Sequence, residues 1–260
     1  MQNPIQLIGR ATLGLFSEVG RLAVFAGRVK GAAFTPRWYG GEILRQMVRI
    51  GFYSLPVVGL SAVFIGAALA LNIYEGGSRY GAEQFVPSIV VLGITRELGV
   101  VITGLMLAGR VSAGIAAEIG AMRVTEQIDA LETLSASRYR YLYAPRFIAA
   151  LITLPMLVAL ADVIGVMGGW LVSVYGLDFD STVYLRNTLD FVTTNDILAG
   201  LIKAVVFGGV IAIMGCYQGD RSQAGATGVG RAATLSMVGA AVLILAFNYV
   251  MSTVFVEIGL

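Results

Sequence analysis

The sequence contains no histidine and only one cysteine, Cys216. Without an imidazole, the chain lacks the usual general acid and base of a hydrolytic triad, and a disulfide within it would need a second thiol. The ligands of the common zinc sites are missing for the same reason. We therefore expect neither a catalytic residue nor a metal site in this chain.

Charged residues are scarce as well. They make up 13% of the 260 residues, whereas hydrophobic residues make up 57%. Soluble domains hold roughly 25% charged residues, so a water-soluble fold could not hide this much apolar surface. The composition predicts an all-α integral membrane protein with a single membrane domain, residues 1–260. The net charge of +2 gives no indication of a nucleic-acid partner.

Nucleotide-binding motifs are also missing. No Gly-x-x-x-x-Gly-Lys-Ser/Thr loop occurs, so the chain cannot hold nucleotide phosphates by that route. We expect no cofactor in this chain, and any ATP and Mg²⁺ to be bound by a partner subunit.

Five apolar runs approach or exceed the roughly 20 residues that a helix needs to cross the hydrocarbon of a bilayer. The third contains Pro155, which predicts a break in that helix. The polar and acidic segment 176–195 predicts a short external helix. The predicted spans are about 55–73, 87–108, 147–175, 196–217 and 232–255.

Residues 4–30 alternate polar and apolar positions at helical spacing. Leu22 and Ala26 share one face, while Arg21 and Arg28 share another. This pattern predicts a helix lying in the membrane interface. The alternative is a poor spanning helix, which would place Glu18 and Arg21 at depth.

The orientation follows from the basic residues, because cytoplasmic loops carry the excess of Lys and Arg. Fourteen of the 18 basic residues fall before the first predicted span, between Arg110 and Arg146, or at Arg221 and Arg231. We therefore expect a cytoplasmic N-terminus and an external C-terminus.

Two adjacent charges, Arg96 and Glu97, lie about nine residues inside the second predicted span. A charge at that depth is costly, and neighbours about 100° apart on a helix do not simply neutralise each other. Lys203 and Asp162, in other spans, are the candidate partners. One hypothesis is a polar cavity that receives a charged or zwitterionic headgroup. The other is an ion-pair network that fixes helix packing.

The segment 118–131, between the second and third predicted spans, is amphipathic. Met122, Ile128 and Leu131 can line one side, while charged residues lie elsewhere. This pattern favours a short helix that docks to a partner protein over a solvated turn. The predicted docking residues are Glu118, Gly120, Met122, Arg123, Glu126, Asp129 and Leu131.

Several ordered blocks of this sequence resemble the MlaE/YrbE family of ABC permeases, and the resemblance covers nearly the whole chain after about residue 50. The blocks are Arg96–Gly99, Ala108–Arg110, Ala117–Met122, Glu126–Leu131, Ala144–Arg146, Leu154–Pro155, Gly168–Gly169, Ile202–Lys203 and Gly228–Ala232.

The resemblance implies a homodimer in the bacterial inner membrane that moves phospholipid between the inner and outer membranes. It also implies a separate cytoplasmic ATPase, a periplasmic MCE-domain protein and, in many cases, a STAS-domain protein. By resemblance, 118–131 is the coupling helix, and Arg96, Glu97 and Lys203 are the lipid-contacting residues. The alternative is an ATP-independent, ion-coupled carrier or channel that uses Arg96, Glu97 and Asp162. The lack of histidine makes an intramembrane enzyme remote.

Overall fold

The computed structural model describes the backbone of residues 4–35 and 39–259, with side chains described from residue 12 onward except that of residue 15. The described part is helical and contains no strand, and five of its helices are long and apolar enough to span a membrane. The helices are α1 (Pro4–Ala33), α2 (Gly40–Ser78), α3 (Glu83–Val124), α4 (Gln127–Thr133), α5 (Tyr139–Gly176), α6 (Ser181–Phe191), α7 (Thr194–Asp220) and α8 (Ala226–Ile258).

The spanning helices α2, α3, α5, α7 and α8 extend beyond the ranges that hydropathy predicted. In α2, a 3₁₀ turn at Phe52–Ser54 joins an amphipathic first part to the apolar second part. In α3, the helix continues beyond the predicted span, which ends at about residue 108, through Arg110 to Val124. Hydropathy marks where charges begin, whereas a helix can continue past the membrane surface.

The predicted break at Pro155 is wrong, because α5 continues through this residue. Proline removes one backbone donor, and neighbouring helices and hydroxyl side chains can satisfy backbone groups near such a site. The loss of one donor therefore does not force a break in a helix that is packed against its neighbours.

Small residues bring α2 and α5 into close contact. A Cβ at Gly66 would overlap the carbonyl oxygen of Gly165, and one at Gly168 would overlap that of Val63. Such close approach of two backbones gives van der Waals contact where the bilayer supplies no hydrophobic driving force. The glycines thus fix α2 against α5 through the middle of the bundle.

Helix α1, which the sequence predicts to lie in the membrane interface, packs against the ends of α5 and α7. Phe25 is buried among the rings of Tyr139, Tyr143 and Tyr217, with centroid distances of 5.9, 5.4 and 5.5 Å. Glu18 accepts a hydrogen bond from the Tyr217 hydroxyl at 2.8 Å, and this bond, followed by that from Arg21, lowers the pKa of Glu18. The side chains of predicted face residues before residue 12 lie outside the described residues.

The predicted single helix over 118–131 is wrong. The first part of this segment is the end of α3, and the second part belongs to α4. Between them, Glu126 has a left-handed backbone with a φ of 58°, which turns the chain. The helix is thus interrupted at Glu126, and the amphipathic pattern of the sequence does not reveal this turn. We call the end of the bundle with α1 and α4 the α1 end, and the opposite end the α6 end.

Candidate functional site

Four polar side chains from α3, α7 and α8 meet inside the bundle. The carboxylate of Glu97 accepts hydrogen bonds from Lys203 Nζ at 2.8 Å, Ser252 Oγ at 2.7 Å and Asn248 Nδ2 at 2.8 Å. We call these four residues the Glu97 cluster. The four side chains come from three different helices, so the cluster forms only when those helices pack together.

The ammonium of Lys203 has a hydrogen-bond acceptor for each of its hydrogens. It also donates to the backbone carbonyl of Arg96 at 2.9 Å and to Ser252 Oγ at 2.8 Å, so three acceptors match its three hydrogens. The Lys203 side chain is 2% exposed, whereas that of Glu97 is 44% exposed. Lys203 is therefore the buried member of the pair, and Glu97 is the member that a ligand can reach.

A local change in α3 positions the charges. Residues Ile94–Leu98, which include Arg96 and Glu97, form a π-helical turn. One extra residue in a turn shifts the direction of the side chains that follow, and such turns are frequent at functional sites. The same turn allows Gly200 of α7 to approach so closely that a Cβ there would overlap the carbonyl oxygen of Thr95.

Arg96 points away from Glu97 and towards the first turn of α7. Its guanidinium lies 3.4 Å from the carboxylate of Asp196, whose side chain is 7% exposed. Asp196 also accepts from the backbone N–H and the hydroxyl of Thr193, at 3.0 and 2.6 Å, in the capping box of α7. These residues line a cavity of about 350 Å³, together with Asn195, Val256 and Gly259.

Asp162 lies apart from this cluster. It is buried on α5, its Oδ1 has no hydrogen-bond partner among the described residues, and it packs directly on Gly99. The interpretation of Asp162 as a partner for Arg96 is therefore corrected: Asp196 takes that place. Sequence reasoning missed Asp196 because it treated the residue as the start of a span, although the Thr193–Asp196 spacing of a capping box was visible.

The predicted docking residues divide into two groups. Glu118 faces inward, where it pairs with Arg49 at 2.6 Å and with the buried Arg146 at 3.0 Å. Gly120 is buried against Ser222, at 3.2 Å from a Cβ placed there. These two positions hold α3 against α2, α5 and the loop between α7 and α8.

The other docking residues lie closer to the surface of the α1 end. Glu126 and Asp129 are exposed, and Asp129 pairs with Arg123 at 3.2 Å. Met122 and Leu131 are partly buried against the core. Leu134, just after α4, is 79% exposed and was not among the predicted residues.

Comparison with known proteins decides the family. The model of the MlaE permease family matches residues 43–254. The chain belongs to this family. It is thus a multi-pass ABC transporter permease, and the cluster, its π-helical turn and α4 all lie inside the region that the MlaE model covers.

Three relatives of this permease each cover 80% or more of its length. A probable ABC transporter permease protein of Rickettsia bellii is 50% identical over 96% of this chain and 97% of its own. The intermembrane phospholipid transport system permease protein MlaE of Haemophilus influenzae is 32% identical over 97% of each chain. A probable ABC transporter permease protein of Synechocystis is 37% identical over 80% of each chain.

Proposed function

We propose that this permease moves phospholipid between the inner and outer membranes of a bacterium, and that the Glu97 cluster and Arg96 receive the lipid headgroup. The observation that carries the proposal is the charged cavity at the α6 end. Arg96, which is 39% exposed, borders it, and the 44% exposed Glu97 lies on the same π-helical turn.

The chemistry of these groups suits a phospholipid. A guanidinium binds phosphate oxygens in a bidentate manner, and a carboxylate attracts the ammonium of a zwitterionic headgroup. The charged groups lie on α3, α7 and α8, which are otherwise apolar enough to span a membrane and so offer surfaces that suit acyl chains. The Haemophilus relative is named as an intermembrane phospholipid transport permease, which supports the same substrate class.

The energy source is proposed to be a separate ATPase that docks on the α1 end. The surface around α4 offers exposed acidic and apolar groups, of which Glu126, Asp129 and Leu134 are the main ones. The proposed assembly is a homodimer in the inner membrane with the α1 end in the cytoplasm, an MCE-domain protein at the α6 end and, in some systems, a STAS-domain protein.

The headgroup site is tested by native mass spectrometry of the purified permease with bound phospholipid. Arg96→Ala is expected to lower lipid occupancy several-fold, because the phosphate loses its bidentate donor. Arg186→Ala is the matched control, since that side chain is 82% exposed on α6. Undiminished phospholipid in Arg96→Ala, at equal folded protein, would contradict the headgroup site.

The coupling surface is tested separately with the co-expressed ATPase. Glu126→Lys and Leu134→Ser are expected to reduce lipid-stimulated ATP hydrolysis while the permease remains inserted and folded. Thr182→Lys, on the exposed surface of α6, is the control. Transport into liposomes by the permease alone, without nucleotide, would instead indicate an ion-coupled carrier.

A further inference from the structure

An apolar groove of about 500 Å³ lies between the interfacial helix and the bundle. Its walls come from α1, α5, α7 and α8, and Lys30 is the single charged residue among the described residues that line it. It is separate from the Glu97 cluster, which contributes none of its lining side chains. The principal wall residues are Leu22, Ala26, Phe147, Val206, Gly209 and Phe247.

The groove exists because small residues line parts of its walls. Ala23 and Ala26 face it from α1, and Gly209 faces it from α7. A Cβ on Gly209 would lie 3.3 Å from the ring of Phe147, so the ring packs against the α7 backbone without filling the space. Apolar walls without partner atoms lose dispersion contacts, which favours an apolar occupant.

The dimensions of the groove match one leaflet. Its α7 wall runs from Val205 to Met214, ten residues whose nine steps of 1.5 Å span about 14 Å. Half of the hydrocarbon core of a bilayer is about 15 Å thick. A chain entering beside α1, which lies at the interface, would therefore reach the middle of the bilayer.

The charge at the groove fits a lipid better than a protein segment. Lys30 is exposed and ends the α1 stripe that begins with Val19 and Leu22. An ammonium near the membrane surface attracts anionic lipid by about 1 kcal/mol, and its apolar stem can lie along the groove. Val205 and Phe247 are each 41% exposed, so the groove is open to its surroundings along its length.

From these observations we propose that the groove is a second lipid site, which holds one acyl chain of an anionic phospholipid from the leaflet at the α1 end, with its phosphate on Lys30. The site does not depend on the proposed headgroup role of Arg96 and Glu97. It places a resident lipid between α1 and the bundle, where it completes the packing of the interfacial helix.

The test uses the full chain in nanodiscs that contain phosphatidylglycerol with a photoactivatable group in its acyl chain. Cross-linked peptides are identified by mass spectrometry. We expect adducts on the α5 segment 147–151 and the α7 segment 205–214. Val206→Phe, which fills the groove from α7, should reduce these adducts several-fold, whereas Val163→Phe, at a 60% exposed position on α5, should leave them unchanged.

A second part of the experiment tests the lipid headgroup by changing the charge of Lys30 at the edge of the groove. Lys30→Gln should lower groove adducts from phosphatidylglycerol about fivefold, the factor expected for one surface cation, and Lys30→Arg should retain them. Arg28→Gln is the matched control, because Arg28 does not line the groove. Equal adducts from anionic phosphatidylglycerol and zwitterionic phosphatidylcholine in the unmodified chain would overturn the preference for an anionic lipid, and equal adducts from phosphatidylglycerol in the unmodified chain and in Lys30→Gln would overturn the contact between Lys30 and the phosphate.

Two results would overturn the acyl-chain site itself. One is the absence of adducts from both groove segments in the unmodified chain. The other is loss of a dimer, measured by native mass spectrometry of Val206→Phe, without any change in adducts, which would show a second copy of this chain in the groove. Neither result bears on lipid occupancy at Arg96, so this site and the proposed function fail independently.

Discussion

At the scale of single residues, the two members of the Glu97–Lys203 pair differ in their access to solvent. The Lys203 side chain is 2% exposed and that of Glu97 is 44% exposed. A charge left alone is costly when it cannot reach water or a lipid headgroup. The loss of its partner should therefore cost more free energy for the buried Lys203 than for the more exposed Glu97.

This asymmetry predicts unequal effects of neutralising either partner. Glu97→Gln should destabilise the fold by about 3 kcal/mol, because it leaves a buried ammonium without its counter-charge. Lys203→Met should cost about 1 kcal/mol or less, because Glu97 keeps Asn248 and Ser252 and remains accessible. Thermal unfolding in detergent, followed by circular dichroism, measures both.

The double variant Glu97→Gln/Lys203→Met serves as the control for this comparison. It should recover most of the stability lost in Glu97→Gln, since no buried charge remains. A larger loss of stability in Lys203→Met than in Glu97→Gln would show that Glu97, and not Lys203, is the residue that depends more on its partner.

The contact between Gly99 and Asp162 gives a second residue-scale prediction. A Cβ at position 99 would overlap Asp162 Oδ1 and lie 2.8 Å from the carbonyl oxygen of Ile94. Gly99→Ala should therefore destabilise the protein by about 1–3 kcal/mol through overpacking. Gly114→Ala, on the same helix with no atom within 4 Å of its Cβ, is the matched control for thermal unfolding.

A rescue experiment identifies the cause of that loss. Adding Asp162→Ala to Gly99→Ala removes the overlapping oxygen and should restore part of the stability. If the double variant is no more stable than Gly99→Ala, the strain comes from the π-helical backbone and the Asp162 contact is of minor importance.

At the scale of elements, α1 is attached by few contacts. Phe25, Val29 and Ala33 are its buried hydrophobic residues among those described, and the Glu18–Tyr217 hydrogen bond adds a polar contact. Other apolar residues of α1, such as Val19 and Val24, are exposed, and we expect lipid to cover them if α1 lies in the membrane interface. We infer that α1 can detach without unfolding the bundle.

That inference predicts a local effect of Phe25→Ala. Removing the ring from among three tyrosines should let α1 leave the bundle and unfold locally, so that trypsin cleaves after Lys30 several-fold faster, while the melting temperature of the bundle changes little. Val24→Ala, at a 56% exposed position on the same turn, should cleave at the unmodified rate. A large fall in melting temperature in Phe25→Ala would show that α1 is instead part of the cooperative core.

At the scale of the whole molecule, basic residues are concentrated at the α1 end. Arg21, Arg28, Arg123 and Arg138 all lie on or beside α1 and α4, whereas α6 carries one arginine, Arg186. By the positive-inside rule, this distribution predicts that the α1 end faces the cytoplasm.

Cysteine labelling in intact cells tests the orientation. Cys216 is buried, so the native thiol contributes little background. Thr182→Cys, at the α6 end, should react with a membrane-impermeant maleimide, and Ser137→Cys, at the α1 end, should react only after the membrane is opened. The reverse pattern would overturn the predicted orientation.

The sequence by itself determined that this is a membrane protein, that it has five candidate spanning helices, and that a short helix lies between the third and fourth of them. Composition and apolar run length decide these features, because each helix must satisfy its own backbone groups in hydrocarbon. The charges at Arg96, Glu97 and Lys203 were likewise visible as unusual, and the family blocks around them were recognisable.

Only the tertiary structure decided which partner each charge meets. Asp196 lies beside Arg96 where Asp162 was expected, Glu118 pairs with Arg146, and α4 is separated from α3 at Glu126. Ion pairs between helices depend on their rotation and register, which π-helical turns and glycine contacts set at the level of single residues. Periodicity in one helix carries no information about the register of its neighbour, so the sequence alone could not assign these contacts.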